Sequence, residues 1–327
     1  MTTHSEASQD TPRLAVYIFS YNRALHLDNS IKTSLRCLPH HPCIVVDDNS
    51  DDDDTLDVLR KWSNRIEILS SSDVIGENKT GGLYPNMTRA LDHAVSRDFE
   101  YALFTQDDLQ FIRSIEPEDF NVVKSYFHEH PKAIQYLVHF IKKPDDGTPI
   151  SELWFLNDSK TAYLRTSQNY NNKGNFCAGG IFDVKRTKQI VDHFEMSERE
   201  NSIRMNEIGV YYGFAVYPLA SFLPAPISYR GKKRSLLHQF YEYLGGAGFH
   251  PVRVMTQSES EAFLSRAPEV IPFAEDFLEC PTAPAPENWA AGGGPYLVVA
   301  RGGWRKAVYQ AILFTKAIIK HALGRGR

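Results

Sequence analysis

The chain has 327 residues, 42% hydrophobic and 23% charged, with a net charge of -4. That is ordinary globular usage, long enough for one large α/β domain or two small ones with a substantial core. The negative balance argues against nucleic-acid binding, which relies on a basic surface to neutralise phosphates. The four scattered cysteines, Cys37, Cys43, Cys177 and Cys280, include no C-x-x-C pair and read as reduced thiols of a cytoplasmic protein.

Residues 1–13 are polar and lack a basic stretch leading into an apolar run, so they are expected to be a disordered leader rather than a secretory signal. Leu14–Ser20 (LAVYIFS) is a short β-rich run that stops at Tyr21-Asn22-Arg23, and a helical pattern follows through Leu25, Ile31 and Leu35. Cys43–Asp47 (CIVVD) repeats the theme and ends in the acidic turn Asp47-Asp48-Asn49-Ser50-Asp51. A helix over 56–62, a strand over 66–69, a glycine-containing loop over 76–82 and a helix over 87–95 come next. A fourth apolar strand over 101–104 ends in Thr105-Gln106-Asp107-Asp108. Strands alternating with helices predict a mostly parallel sheet covered on both faces, and such sheets bind ligands outside the carboxyl ends of their strands, where both acidic clusters fall.

Beyond Asp108 the rhythm changes. A helix is predicted over 120–130, apolar segments over 134–141, 153–156 and 176–182, helices over 185–194 and much of 198–212, and a strand over 214–217. Residues 268–295 are rich in Pro, Ala and Gly and read as a linker or surface wrap before a last helix over 304–323. That helix mixes Val308, Ile312, Leu313, Phe314, Ile318 and Ile319 with Arg305, Lys306, Lys316 and Lys320, and Arg325 and Arg327 follow it, which suits an amphipathic helix lying on an anionic membrane, or equally one packed against the body or a second subunit.

Two carboxylate clusters at neighbouring strand ends repel unless something positive lies between them. Magnesium or manganese carrying a diphosphate resolves the conflict, since such ions take one or two carboxylates plus substrate phosphates. Asp107 and Asp108 therefore read as the metal end, while Asp47 or Asp48 can accept the imino hydrogen of a pyrimidine base or a ribose hydroxyl.

These residues resemble family 2 of the inverting GT-A glycosyltransferases. The family's first strand ends in Y/F-N-R, matched by Ser20-Tyr21-Asn22-Arg23, and its second in V-D-D-x-S, matched by Val46-Asp47-Asp48-Asn49-Ser50. Its glycine-rich loop and donor helix are matched by Gly81-Gly82 and onward to Asn86, Arg89 and Ala90. Its D-x-D metal motif is matched by Gln106-Asp107-Asp108, where the first carboxylate is replaced. The resemblance implies a GT-A (Rossmann-like) fold and a nucleotide-diphosphate sugar donor held by these residues. It also implies a divalent cation (Mn2+ or Mg2+) on Asp108 with Asp107, and a glycan or lipid-linked acceptor. It divides the chain into a nucleotide-sugar-binding half over 14–110, an acceptor-binding half over 111–230, an extension over 231–302 and a basic helix over 303–327. Many GT-A enzymes add a C-terminal histidine to the metal, for which His238, just after the basic stretch 230–234, is the candidate.

The family's catalytic base lies in an E-D pair at a helix start, where this chain has Glu200-Asn201, with Glu198 and Glu207 in reserve. The base would take the proton of the acceptor hydroxyl as it attacks the anomeric carbon with inversion. Ser197 to Glu200 is also a capping box, S-x-x-E, in which the glutamate only caps its helix. The processive Q-x-x-R-W motif is absent, which favours addition of one sugar. Two rivals remain at this stage: a nucleotidyltransferase, and a binding protein that keeps the frame without the chemistry. The expected setting is cytoplasmic, at the inner face of the membrane through the last helix.

Overall fold

The computed structural model describes residues 12–70, 82–144, 148–166, 179–227, 236–282, 289 and 303–322. The chain divides into two compact units: unit 1 is Met1–Phe222 with Val254–Ala274, and unit 2 is Leu223–Arg253 with Glu275–Arg327.

Unit 1 is built on a nine-stranded sheet. Its first half is the expected parallel set: β1 (Leu14–Ser20), β2 (Cys43–Asp47), β3 (Glu67–Ser70) and β4 (Tyr101–Gln106), ordered β3-β2-β1-β4. All seven residues of β1 are buried, as a central parallel strand covered on both faces requires. Leu14, Val16 and Ile18 pack with Leu27 and Ile31 of α1 (Ala24–Cys37) and Leu59 of α2 (Asp53–Trp62). The alternate residues Ala15, Tyr17 and Phe19 face Met87, Ala90 and Leu91 of α3 (Leu83–Ser96). The strand period of two thus divides one run of sequence between two helical layers. The buried Tyr17 hydroxyl is satisfied by His93 Nδ1 at 2.9 Å, whose Nε2 meets Glu67 at 3.1 Å.

After β4 the sheet continues as β9-β6-β10-β8-β7, formed by β6 (Ala133–Leu137), β7 (Trp154–Leu156), β8 (Ala162–Arg165), β9 (Gly180–Asp183) and β10 (Tyr211–Ala215). β9 runs antiparallel between β4 and β6, while β6 and β10 are parallel. A Cβ on Gly180 would lie 2.7 Å from the Tyr136 carbonyl, so only glycine lets β9 close against β6. A small second sheet pairs β5 (Leu109–Phe111) with β11 (Ala220–Phe222). The covering helices are α4 (Pro117–Glu129), α6 (Val184–Ile190) and α7 (Glu198–Glu207), with α5 (Ile150–Leu153) as a single turn before β7.

Several boundaries differ from the sequence reading. The helix expected to run toward 212 stops at Glu207, and β10 begins at Tyr211 rather than 214, because Gly209 with φ of 68° turns the chain into the sheet. The helix expected over 185–194 ends at Ile190. The segment read as linker contains α10 (Ala274–Phe277), and the extension before it holds α8 (Leu236–Gly245) and α9 (Gln257–Leu264). The last helix, α11, spans Gly303–Ala322. Cys37 and Cys43 are free buried thiols pushed up to about 11 by burial, whereas Cys177 lies outside the described residues.

One buried charge ties β5, α4 and the β10–β11 turn together. Arg113, 1% exposed, forms a two-pronged ion pair with Asp119 at 2.8 and 2.7 Å and donates to the Pro218 and Tyr217 carbonyls. Breaking a buried pair by removing one partner costs about 3–5 kcal/mol, and each kcal/mol is worth roughly 2–4 °C at this size. Arg113→Met should therefore lower the melting temperature by about 10 °C, read by calorimetry; a melt within a degree or so of wild type would contradict this role.

Candidate functional site

The carboxyl ends of β1, β2 and β4 are level. Ser20 pairs with Asp47, and Phe19 with Gln106, so both acidic clusters leave the sheet at one edge on either side of β1. Two asparagines make the turns possible: Asn22 and Asn49 adopt φ of 49° and 57°, a left-handed conformation that Asn tolerates well.

The turns are cross-linked. Asn22 Oδ1 accepts from the backbone of Asp51 and Asp52 at 2.8 and 3.2 Å, and its own N–H donates to Ser50 Oγ. Asp47 is buried and accepts from Ser50 N–H at 2.9 Å and Ser50 Oγ at 2.6 Å, so its carboxylate shapes the turn. Asp51 lies at the entry to α2, where Asp52 caps the helix through Thr55 N–H and Asp53 and Asp54 occupy the first turn.

Asp48 points the other way, toward the start of α3. Its Oδ1 accepts from Asn86 Nδ2 at 2.9 Å. A Cβ on Gly82 would sit 2.1 Å from both carboxylate oxygens, so glycine at the helix entry is what admits this carboxylate. Arg89 lies one turn further along α3, and its Nη1 is buried without a hydrogen-bond partner among the described residues. Gly81 lies outside the described residues.

Arg23 organises the other cluster. Its Nη1 donates to Asp107 Oδ1 at 2.7 Å and reaches Asp108 Oδ2 at 3.2 Å. Burial opposes the guanidinium charge, but Asp107 and Asp108 outweigh it and hold its pKa above the ordinary value. Asp107 also accepts from Ser20 Oγ at 3.1 Å and from the Tyr21 backbone N–H. Burial, reinforced by Asp108, still pushes its carboxyl up to about 6 against the pull of Arg23. Gln106, in place of a first carboxylate, ends β4 half-buried.

Asp107 is thus committed to the protein, whereas Asp108 Oδ1 is buried and without a hydrogen-bond partner among the described residues. That atom suits a divalent ion whose remaining ligands are phosphate oxygens. Among the described residues no three His, Cys, Asp or Glu gather into a self-sufficient metal cage. The side chain of His238, on α8, lies outside the described residues.

The three candidate bases separate. Glu200 is exposed, and its carboxylate accepts from Ser197 Oγ at 2.8 Å while its N–H donates to the same oxygen, as a cap requires. Asn201 is fully buried and holds the preceding loop through the Glu195 and Ser197 carbonyls. Glu207 lies at the far end of α7, where the chain enters β10 beside the start of β6, away from the acidic edge. Glu198 stands in the first turn and is exposed like Glu200, yet loss of solvent around its carboxyl raises its pKa, with Lys142 opposing. Lys142 Nζ lies 5.6 Å from the Phe222 ring, and Phe222 pairs with Leu109, the neighbour of Asp108.

One residue at this edge was not anticipated. His139, just beyond β6, is buried, bonds the Phe140 carbonyl through Nδ1 at 3.0 Å and is pushed down to about 4 by burial, so it is neutral. Its ring packs edge-on to Phe214 and Phe222 and lies where a Cβ on Gly179 would meet it at 2.9 Å. The signal was a lone histidine inside the apolar run 134–141.

A family model described as glycosyl transferase family 2 matches residues 15–190. The match covers just over half of the chain and takes in both acidic clusters, and the chain belongs to that family. Among solved structures it is similar to S. aureus TarS, at 15% identity and a TM-score of 0.46 over 77% of this chain and 42% of that one. S. aureus TarS 1-349 in complex with UDP is similar at 15% identity and a TM-score of 0.44, over 77% and 70%. A 4-diphosphocytidyl-2C-methyl-D-erythritol synthase from Anaerococcus prevotii gives 16% identity and a TM-score of 0.36, over 64% and 90%. The chain thus spans less than half the length of the first of these. No curated protein sequence matches it.

Because the folded-state pKa of Asp107 is raised, its protonated form stabilises the fold. That contribution is full below about pH 4, the unfolded value, and is lost as pH rises through about 6. Asp107→Asn keeps the shape and cannot ionise. Its stability relative to wild type should improve from pH 4 to pH 7 by up to about 3 kcal/mol, followed as melting temperatures. A constant offset between the two proteins across that window would show the buried carboxyl is not titrating there.

Proposed function

We propose that the chain transfers one sugar from a nucleotide-diphosphate sugar to a hydroxyl of a glycan or lipid-linked acceptor, by metal-assisted direct displacement with inversion. The observation that carries this reading is the level edge of three strand ends, at which Arg23 is clamped by Asp107 and Asp108 while one Asp108 oxygen stays buried and unbonded. Membership of glycosyl transferase family 2 agrees with it.

The roles follow from what each side chain has left to give. Asp48, held by Asn86 against Gly82, is placed to accept from the base or ribose of the nucleotide. Asp47, Asn22 and Ser50 keep that loop in shape. Buried donors on Arg23 (Nε) and Arg89 (Nη1) have no acceptor among the described residues, which suits the oxygens of a diphosphate. Asp108 Oδ1 would hold a divalent cation, which neutralises charge on the departing diphosphate.

Glu198 is the base in this reading, ahead of Glu200. A general base works best with a pKa near the operating pH, and burial moves Glu198 in that direction, while the Glu200 carboxylate is engaged by its own cap. The carboxylate takes the acceptor proton, the acceptor oxygen bonds to the anomeric carbon, and the bond from that carbon to the diphosphate oxygen breaks on the opposite face. The nucleoside diphosphate leaves with the electron pair.

The test is transfer measured as release of nucleoside diphosphate from a donor panel. Glu198→Gln should cut turnover by roughly 10²- to 10⁴-fold with donor affinity intact. Glu200→Gln should spare turnover, since glutamine still serves in a capping box. Wild-type turnover in the first variant, or collapse in the second, reverses the assignment.

A further inference from the structure

The helix that supplies Arg23 also grips the strand that leaves Asp108. Asn29 Nδ2 of α1 donates to Gln110 Oε1 of β5 at 2.9 Å. Four residues along the helix, Thr33 Oγ1 accepts from the Phe111 N–H at 3.4 Å and donates back to the Asn29 carbonyl at 2.9 Å. Four residues further, the Cys37 carbonyl, at the end of the helix, accepts from the Ile115 N–H at 3.1 Å. Residues four apart lie on one helix face, so the chain from Gln110 to Ile115 runs along that face of α1. Arg23, at the N-cap of the same helix, engages Asp107 and Asp108 at 2.7 and 3.2 Å.

These bonds do what apolar packing at the same place does not. Leu109 and Phe111 share a core with Leu27 and Ile31 of α1, which fixes how close β5 lies to the helix. Apolar contact is non-directional, whereas a hydrogen bond sets position along the helix as well. In its own sheet β5 has a ladder of three pairs with β11, Leu109 with Phe222, Gln110 with Ser221 and Phe111 with Ala220. A two-stranded ribbon that short is marginal by itself. Gln110 is 1% exposed, and a buried amide deprived of its partner is costly, so the Asn29 bond holds Gln110 to one register. The groups assigned to the nucleotide, Asp48, Asn86 and Arg89, are carried by the β2 turn and by α3 instead.

We propose that Asn29 is a positioning residue for the divalent cation: through Gln110 it fixes the start of β5, and with it the place of Asp108 Oδ1 two residues earlier. The inference rests on the reading of Asp108 as the ion's foothold and deepens it. Arg23 balances charge at the head of α1, and Asn29, under two turns on, aligns the strand into which Asp108 leads. Without that alignment the carboxylate is still present and still paired with Arg23, but it shifts relative to the diphosphate oxygens that complete the ion's shell.

The experiment carries forward whichever of the uridine, guanosine, thymidine, cytidine and adenosine diphosphates the wild type binds most tightly. Manganese is titrated into the full-length protein holding that nucleotide, and nucleotide affinity is measured separately in chelator. Asn29→Leu keeps a good helix former of similar bulk that cannot donate. It should weaken manganese by about tenfold, the lower end of what is lost when groups that orient a metal ligand are removed. Its nucleotide affinity in chelator should stay at the wild-type value. The reciprocal swap, Asn29→Gln with Gln110→Asn, rebuilds an amide pair of the same total length and should recover the manganese affinity. A role confined to stability would lower the melting temperature of Asn29→Leu and spare the manganese affinity of the folded protein. That result, a matching loss of nucleotide affinity in chelator, or a swap that leaves the loss uncorrected would overturn the proposal. A wild type that binds none of the nucleotides, or gains nothing from manganese, refutes the reading of Asp108 itself and this inference with it.

Discussion

The acidic edge depends on where the Arg23 guanidinium lies. Two adjacent carboxylates, Asp107 and Asp108, end a buried strand, and bringing both there ionised would be costly without a counter-charge. The chain supplies that charge itself from the β1–α1 junction, with contacts of 2.7 and 3.2 Å. Because the arginine comes from the end of β1, the interaction also fixes β1 to β4 beyond their last paired residues, where Asp107 N–H already bonds the Phe19 carbonyl. A cation arriving with a ligand is then not needed to assemble the edge.

A division of labour among the acidic residues follows. Asp47 is engaged by Ser50 and Asp107 by Arg23 and Ser20, so each is part of the scaffold. Asp48 and Asp108 each lie one residue further along the chain, Asp48 held by Asn86 and Asp108 with its Oδ1 unbonded among the described residues. In both pairs the first aspartate is buried, at 5% exposure for Asp47 and 4% for Asp107.

Much of the first half was legible before the structure. Apolar β-rich runs such as LAVYIFS and CIVVD occupy central strands because both faces of a parallel sheet are covered, and turn residues such as Asn22 mark their ends. The strand ends also placed the acidic clusters. What escaped was set by contacts distant in sequence. β5 and β11 are three residues each and exist through their pairing across more than a hundred residues, which no local pattern signals. The role of Arg23 depends on partners 84 and 85 positions away. Glu198 and Glu200 share one helix turn and are both exposed, and only the capping bond of Glu200 and the raised carboxyl pKa of Glu198 separate them.

The clearest measurement of this arrangement is calorimetric titration of nucleoside diphosphate into the wild type and Asp108→Asn, each with manganese and with chelator. If Arg23 and Arg89 hold the diphosphate and Asp108 Oδ1 holds only the ion, the wild type binds in chelator and gains at least about tenfold with manganese, about 1.4 kcal/mol. Asp108→Asn should keep the chelator affinity and lose the manganese increment. A variant that retains the full increment, or a wild type with none, would contradict the assignment of Asp108 as the ion's foothold on an edge that Arg23 has already balanced.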